Sequence, residues 1–172
     1  MPTIGVAVAI PEPWASELQD YRTSVGDATA AMIPTHITLV PPTEIPDAAL
    51  TDVETHLEGA AGAVSAFEVH LRGTGTFRPI SPVVFVSLAA GISQCEQLAD
   101  AVRRGPLRVD LEYPYHPHVT IAHHLDDAAL DRAFDELSDF ECRFRVDDFQ
   151  LYVHDATLGW RPTRYFPLPS GT

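Results

Sequence analysis

The chain has 172 residues, is 45% hydrophobic, and carries 11 basic against 24 acidic residues for a net charge of −13. That length supports one domain with a real core, or one domain of two lobes, and the apolar fraction is that of ordinary globular material. The acidity excludes the basic footprint with which proteins grip long or duplex nucleic acid, because phosphate contacts dominate that affinity.

In chain order, Ile4, Val6, Val8 and Ile10 alternate with Gly5, Ala7 and Ala9, the pattern of a buried strand. Pro11-Glu12-Pro13 ends it. Trp14, Leu18, Tyr21 and Val25 fall at helical spacing, which predicts a helix over roughly 13–25. A β-branched strand over about 35–40 stops at Pro41-Pro42, and Leu50, Val53, Leu57 and Ala61 mark a helix over about 47–61. Strands near 67–71 and 83–88 flank a Gly/Pro-rich connection from Gly73 to Pro82. Ser93 with Glu96 resembles a capping box opening a helix to about Arg104. A strand over about 116–123 and a helix over about 126–138 follow, with the acidic Asp126-Asp127 at the helix N-terminus. Strands over about 141–147, 149–154 and 163–167 close the chain, with Asp147-Asp148 as a solvated turn.

Two short phrases match. His36-Ile37-Thr38 runs into Leu39-Val40, and His118-Val119-Thr120 runs into Ile121-Ala122. Side chains alternate along a strand, so each phrase puts an imidazole and a hydroxyl on one face and apolar residues on the other. The order motif strand, helix, strand occurs twice, as in an internal duplication. A pseudo-twofold would bring the motifs face to face. The expected class is α+β: a single bilobal domain with two mostly antiparallel sheets, outer helices and a cleft between the lobes. Two imidazoles and two hydroxyls on one cleft can hold a phosphate and move two protons.

These residues resemble the two-histidine (2H) phosphoesterase superfamily, which includes 2′-5′ RNA ligase-like proteins and cyclic nucleotide phosphodiesterases. That superfamily carries two His-x-Thr/Ser motifs on strands, matched here by His36 with Thr38 and His118 with Thr120. The run Tyr115 to Ala122 is similar to the setting of the second motif, and Leu151-Tyr152 through Trp160 to Tyr165–Leu168 to the closing strands. The resemblance spans the chain, 1–172. It implies that His36 and His118 are the catalytic acid and base and that Thr38 and Thr120 bind phosphate. Either histidine can take either role, depending on whether a 2′ or a 3′ bond is cut. It further implies hydrolysis of small 2′,3′-cyclic or 2′-5′-linked nucleotides with no metal and no cofactor. Several 2′-5′ RNA ligase-like members carry an arginine shortly after the second motif, where this chain has His123-His124. That departure and the acidity turn the expectation away from RNA ends and toward a small substrate.

Three further residues are candidates for substrate binding. Phe77 and Arg78 lie in the 73–82 connection, where Phe77 would stack a base and Arg78 would hold phosphate. A loop anchor and a solvated arginine are the alternative. Tyr115 either borders the pocket or simply packs. A zinc site from His116, His118, His123 and His124 is set aside, because His118 and His124 would stand roughly 20 Å apart on an extended strand. Cys95 and Cys142 match no metal or redox spacing and read as semi-buried thiols. No apolar run reaches the roughly 18–20 residues of a membrane helix, and the first residues lack the basic start of a signal peptide. The expectation is a cytoplasmic monomer with a small nucleotide or oligonucleotide substrate, no duplex nucleic acid and no membrane partner. The competing readings are a 2′-5′ RNA ligase-like enzyme on RNA ends and a non-catalytic nucleotide- or RNA-binding module of the same fold.

Overall fold

The computed structural model describes residues 1–28, 30–108 and 110–170. The alternating apolar runs form eight strands among these residues: β1 (Thr3–Ala9), β2 (His36–Glu44), β3 (Phe67–Thr76), β4 (Val83–Ala90), β5 (His118–His123), β6 (Glu141–Val146), β7 (Asp148–Asp155) and β8 (Gly159–Pro167). The helical patterns form α1 (Trp14–Ser24), α2 (Leu50–Ala60), α3 (Ile92–Val102) and α4 (Asp127–Glu136). The strands make two four-stranded antiparallel sheets, ordered β2-β1-β7-β8 and β5-β4-β3-β6. Both feed one apolar core, in which Ile4, Ile37, Val69, Leu98, Ile121 and Phe149 are fully buried.

The repeated element order is present as β2-α2-β3 and β5-α4-β6. It is not a copy of one sheet per half, because β3 crosses to the second sheet and pairs with β4 and β6. Each motif strand ends up at an edge of its sheet, beside the strand that precedes it. The helix leading into each motif strand packs across the cleft, α1 against β5 and α3 against β2. The edges β2 and β5 meet. Tyr115, just before β5, donates its hydroxyl to the Thr38 carbonyl on β2 at 2.6 Å.

Three local expectations change. β2 continues through Pro41-Pro42 to Glu44. Proline lacks a ladder N–H, but β2 is an edge strand, and its pairing with β1 shifts register between Ile4 and Val6, opposite the prolines. β3 runs on to Thr76 and takes up the first part of the expected 73–82 connection, with a register shift between Leu71 and Thr74 where Gly73 adopts a positive φ. The Ser93–Glu96 capping box does not form. The left-handed Gly91 is the N-cap of α3, so Ser93 falls inside the first turn and accepts from Gln97 instead. At α4 the expectation holds: Asp126 is the N-cap and accepts from the Ala129 amide at 2.8 Å. Cys95 and Cys142 are buried outright, and burial pushes their thiols up to about 12 and about 11, so both stay protonated.

Candidate active site

On β2 and β5 the apolar positions Ile37, Leu39, Val119 and Ile121 face the core. That turns His36, Thr38, His118 and Thr120, all half-buried, to the opposite face. Each histidine is oriented by the chain just before it. His36 Nδ1 lies 2.5 Å from the Pro34 carbonyl, and His118 Nδ1 lies 2.7 Å from the His116 carbonyl. A carbonyl only accepts, so the proton of each neutral ring sits on Nδ1 and Nε2 is left as the basic atom. Thr38 donates its hydroxyl to His36 Nε2 at 3.1 Å.

Both rings favour the neutral form. Burial lowers the pKa of His36; the Pro34 carbonyl opposes this and the nearby Arg22 guanidinium adds to it. His118 is lowered to about 4, first by burial, with the His116 carbonyl opposing and His116, His36 and His123 adding repulsion. Part of that dry environment is aromatic. Phe77 meets the His118 ring edge-on at 4.9 Å, and Phe85 lies 5.2 Å away.

A cavity of about 210 Å³ opens between the lobes. His36, Thr38 and Thr120 line it; His118 does not. Gly5 and Ala7 of β1 form its floor, with Tyr152 and Trp160 from β7 and β8 also in the wall. Arg22 and Asp27 at the end of α1 and His123 at the end of β5 complete it. Arg22 is 4% exposed, with Nε 3.3 Å from Asp27 and Nη1 donating to the Ile33 carbonyl at 2.8 Å. This guanidinium therefore pins the segment that presents the Pro34 carbonyl to His36.

The three tentative substrate residues take different places. Phe77 packs on His118 and, at 4.5 Å, on Phe85, so it walls the motif. Arg78 is held away from the cavity by Asp131 at 2.8 Å and Asp127 at 3.7 Å on the α4 side, and its Nε donates to Thr76. Tyr115 acts between the lobes through its bond to Thr38. Arg22, Asp27, His123, Tyr152 and Trp160 were not singled out by the motif pattern. Arg22 did carry a signal: four residues after Leu18, it occupies the apolar stripe of α1, where a charge needs a reason. Trp160 and Tyr152 carry none, since aromatic residues are ordinary strand formers.

Two lobes that each contribute one His-x-Thr strand to a shared cleft define a two-histidine phosphoesterase architecture. A sequence model of the 2′-5′ RNA ligase superfamily matches residues 10–158, and the chain belongs to that superfamily, the two-histidine phosphoesterases. Among curated relatives, a protein of Bacillus cytotoxicus provisionally named a phosphoesterase is 28% identical over 148 residues, covering 85% of this chain and 86% of that protein. One from Bacillus cereus with the same provisional name is 30% identical over 147 residues, covering 84% and 85%. Among solved structures, TT0787 of Thermus thermophilus superposes with a TM-score of 0.70 at 22% identity over 99% of both chains. LigT of E. coli in its apo form superposes with a TM-score of 0.69 at 20% identity over 98% of this chain and 99% of that one. These structural likenesses concern the fold. No helix among the described residues is long and apolar enough to cross a membrane.

Proposed function

We propose that the protein is a metal-independent phosphodiesterase that opens small 2′,3′-cyclic or 2′-5′-linked nucleotide diesters by paired-histidine acid/base catalysis. The observation that carries this reading is the matched pair of rings, each with Nδ1 on the carbonyl two residues back and Nε2 turned from it. One neutral histidine takes a proton from water as it attacks phosphorus. The other, protonated, gives a proton to the departing ribose oxygen. Thr38 and Thr120 donate to the non-bridging oxygens, which hold charge in the transition state. An anion between the rings favours the imidazolium that burial disfavours, so substrate itself loads the acid. Proton carriers and donors are then all supplied by side chains, and no step calls for a metal.

A 2′-5′ RNA ligase-like activity on RNA ends is the second reading, which the superfamily's name favours and the net charge of −13 disfavours. LigT of E. coli has been solved with 3′-AMP, a ligand of the size class proposed for this cleft. The working form is taken to be a cytoplasmic monomer. The test is turnover with EDTA present on three substrates: 2′,3′-cyclic mononucleotides, 2′-5′ oligonucleotides and nicked RNA. Opening of the cyclic mononucleotides is expected. Activity confined to nicked RNA, or lost on chelation and restored by a divalent ion, overturns the proposal.

A further inference from the structure

The two motif histidines are held in different ways. His36 has the Thr38 hydroxyl on its Nε2 at 3.1 Å. His118 is held by rings. Phe77, Phe85, His116 and His118 form a cluster in which every pair of rings is in contact, with centroids between 4.5 and 6.2 Å apart. The two imidazoles lie nearly parallel, 20° apart, and Phe77 meets both edge-on, at 78° to His116 and 88° to His118. Edge-on and offset contacts at these distances are the favoured arrangements of aromatic rings. The local sequence puts His116 in this place. A residue before proline is held extended, so His116 and His118, on either side of the buried Pro117, carry their side chains on one face. Phe85 takes its position because of Gly75, its partner on β3. A methyl group at Gly75 would come within 2.7 Å of the Phe85 ring, so a residue without a side chain is what lets that ring lie there.

We propose that His116 is a positioning residue for His118: its exposed ring closes the aromatic cluster, which sets the plane of the His118 imidazole and keeps water from it. This rests on the reading of His118 as a catalytic group. The bond from His118 Nδ1 to the His116 carbonyl at 2.7 Å fixes one atom of the ring. A ring tied at one atom still pivots about that tie, and Nε2, on the far side, moves with the pivot. Contacts with neighbouring rings stop it. Phe85 on β4 and Phe77, directly after β3, supply part of these contacts, and His116 supplies the rest. His116 is the exposed member of the cluster, so its ring stands between the phenyl rings and solvent. A reacting atom displaced by about 1 Å can cost on the order of 10²-fold in rate, which makes the ring plane matter to the chemistry. The shielding matters too. The His118 pKa is lowered to about 4, first by burial, with the His116 carbonyl opposing and His116, His36 and His123 adding repulsion. His116 thus acts through His118 and not on substrate: its carbonyl sets the tautomer and its ring sets the plane.

Two readouts test this, one with turnover and one without. On 2′,3′-cyclic mononucleotides, His116→Ala should lower kcat by about tenfold and leave KM within about twofold. His116→Phe restores a ring without the imidazole nitrogens and should recover kcat to within about twofold of wild type. The second readout is the titration of the His118 ring followed by proton NMR, its signal assigned by its loss in His118→Gln. In His116→Ala it should move up from about 4 toward the ordinary value of roughly 6.5, because the ring gains water as well as losing a like charge. In His116→Phe only the repulsion goes, so the move should be smaller. Gly75→Ala, which pushes on Phe85 from behind, should raise the titration with His116 in place. Wild-type kcat in His116→Ala, equal losses in the Ala and Phe variants, or an unmoved His118 titration in His116→Ala overturns the positioning role. If the wild type does not turn over cyclic mononucleotides, the phosphodiesterase reading fails and the titration alone decides: a larger move in the Ala than in the Phe variant upholds the role, and equal or absent moves overturn it.

Discussion

At His36 and His118, burial pulls against a backbone carbonyl, and burial is the larger effect. The consequence for pH has a definite sign. His118 titrates near 4 in the folded chain and near 6.5 when unfolded. The unfolded chain therefore binds more protons between those values, and stability present above about 6.5 is lost as pH falls toward 4. A bound anion reverses the preference, so binding should take up a proton. Titration with sulfate, itself fully ionised, should show affinity rising from pH 7 to pH 5 and a binding enthalpy that varies with the ionisation enthalpy of the buffer, as proton uptake requires; flat affinity would contradict the assignment. His-x-Thr spacing made these four side chains legible in the sequence, because strand alternation alone puts them on one face. Arg78 shows the limit. Its type suited phosphate, but nothing local reveals that Asp127 and Asp131, on a distant helix, hold it.

At the scale of elements, the site depends on how loops are tied to strands. Gly159 begins β8 at φ +81°, and a methyl group there would come within 2.5 Å of the Met32 carbonyl. Gly159→Ala should therefore cost about 1–3 kcal/mol, measured by denaturant unfolding, and should loosen the Trp160 end of the cavity. An unchanged midpoint would show that the turn relaxes freely. Tyr115→Phe removes one hydrogen bond between the lobes and should cost about 0.5–1.5 kcal/mol. It should also lower kcat, because β2 and β5 lose a fixed spacing; an unchanged kcat would contradict the positioning role. Element types were largely readable from periodicity and from proline and glycine. The strand through Pro41-Pro42 was not, since its edge position is a tertiary fact. Nor was the crossing of β3 to the second sheet, because a repeated order of elements does not say which sheet each strand joins.

For the whole molecule, a net charge of −13 disfavours a long polymer of phosphates, and the buried Arg22 is already paired with Asp27. Turnover of a cyclic mononucleotide should change little between 50 and 200 mM salt, the range over which a protein making 6–10 phosphate contacts loses roughly 10³–10⁵ in affinity. A steep fall would indicate an extended nucleic-acid track. The most direct test of the central claim is kcat on 2′,3′-cyclic mononucleotides, with EDTA present, for wild type, His36→Ala and His118→Ala, each checked for an intact fold. Loss of roughly 10²–10⁴-fold in both variants is expected. Wild-type turnover in either one would contradict catalysis by the pair.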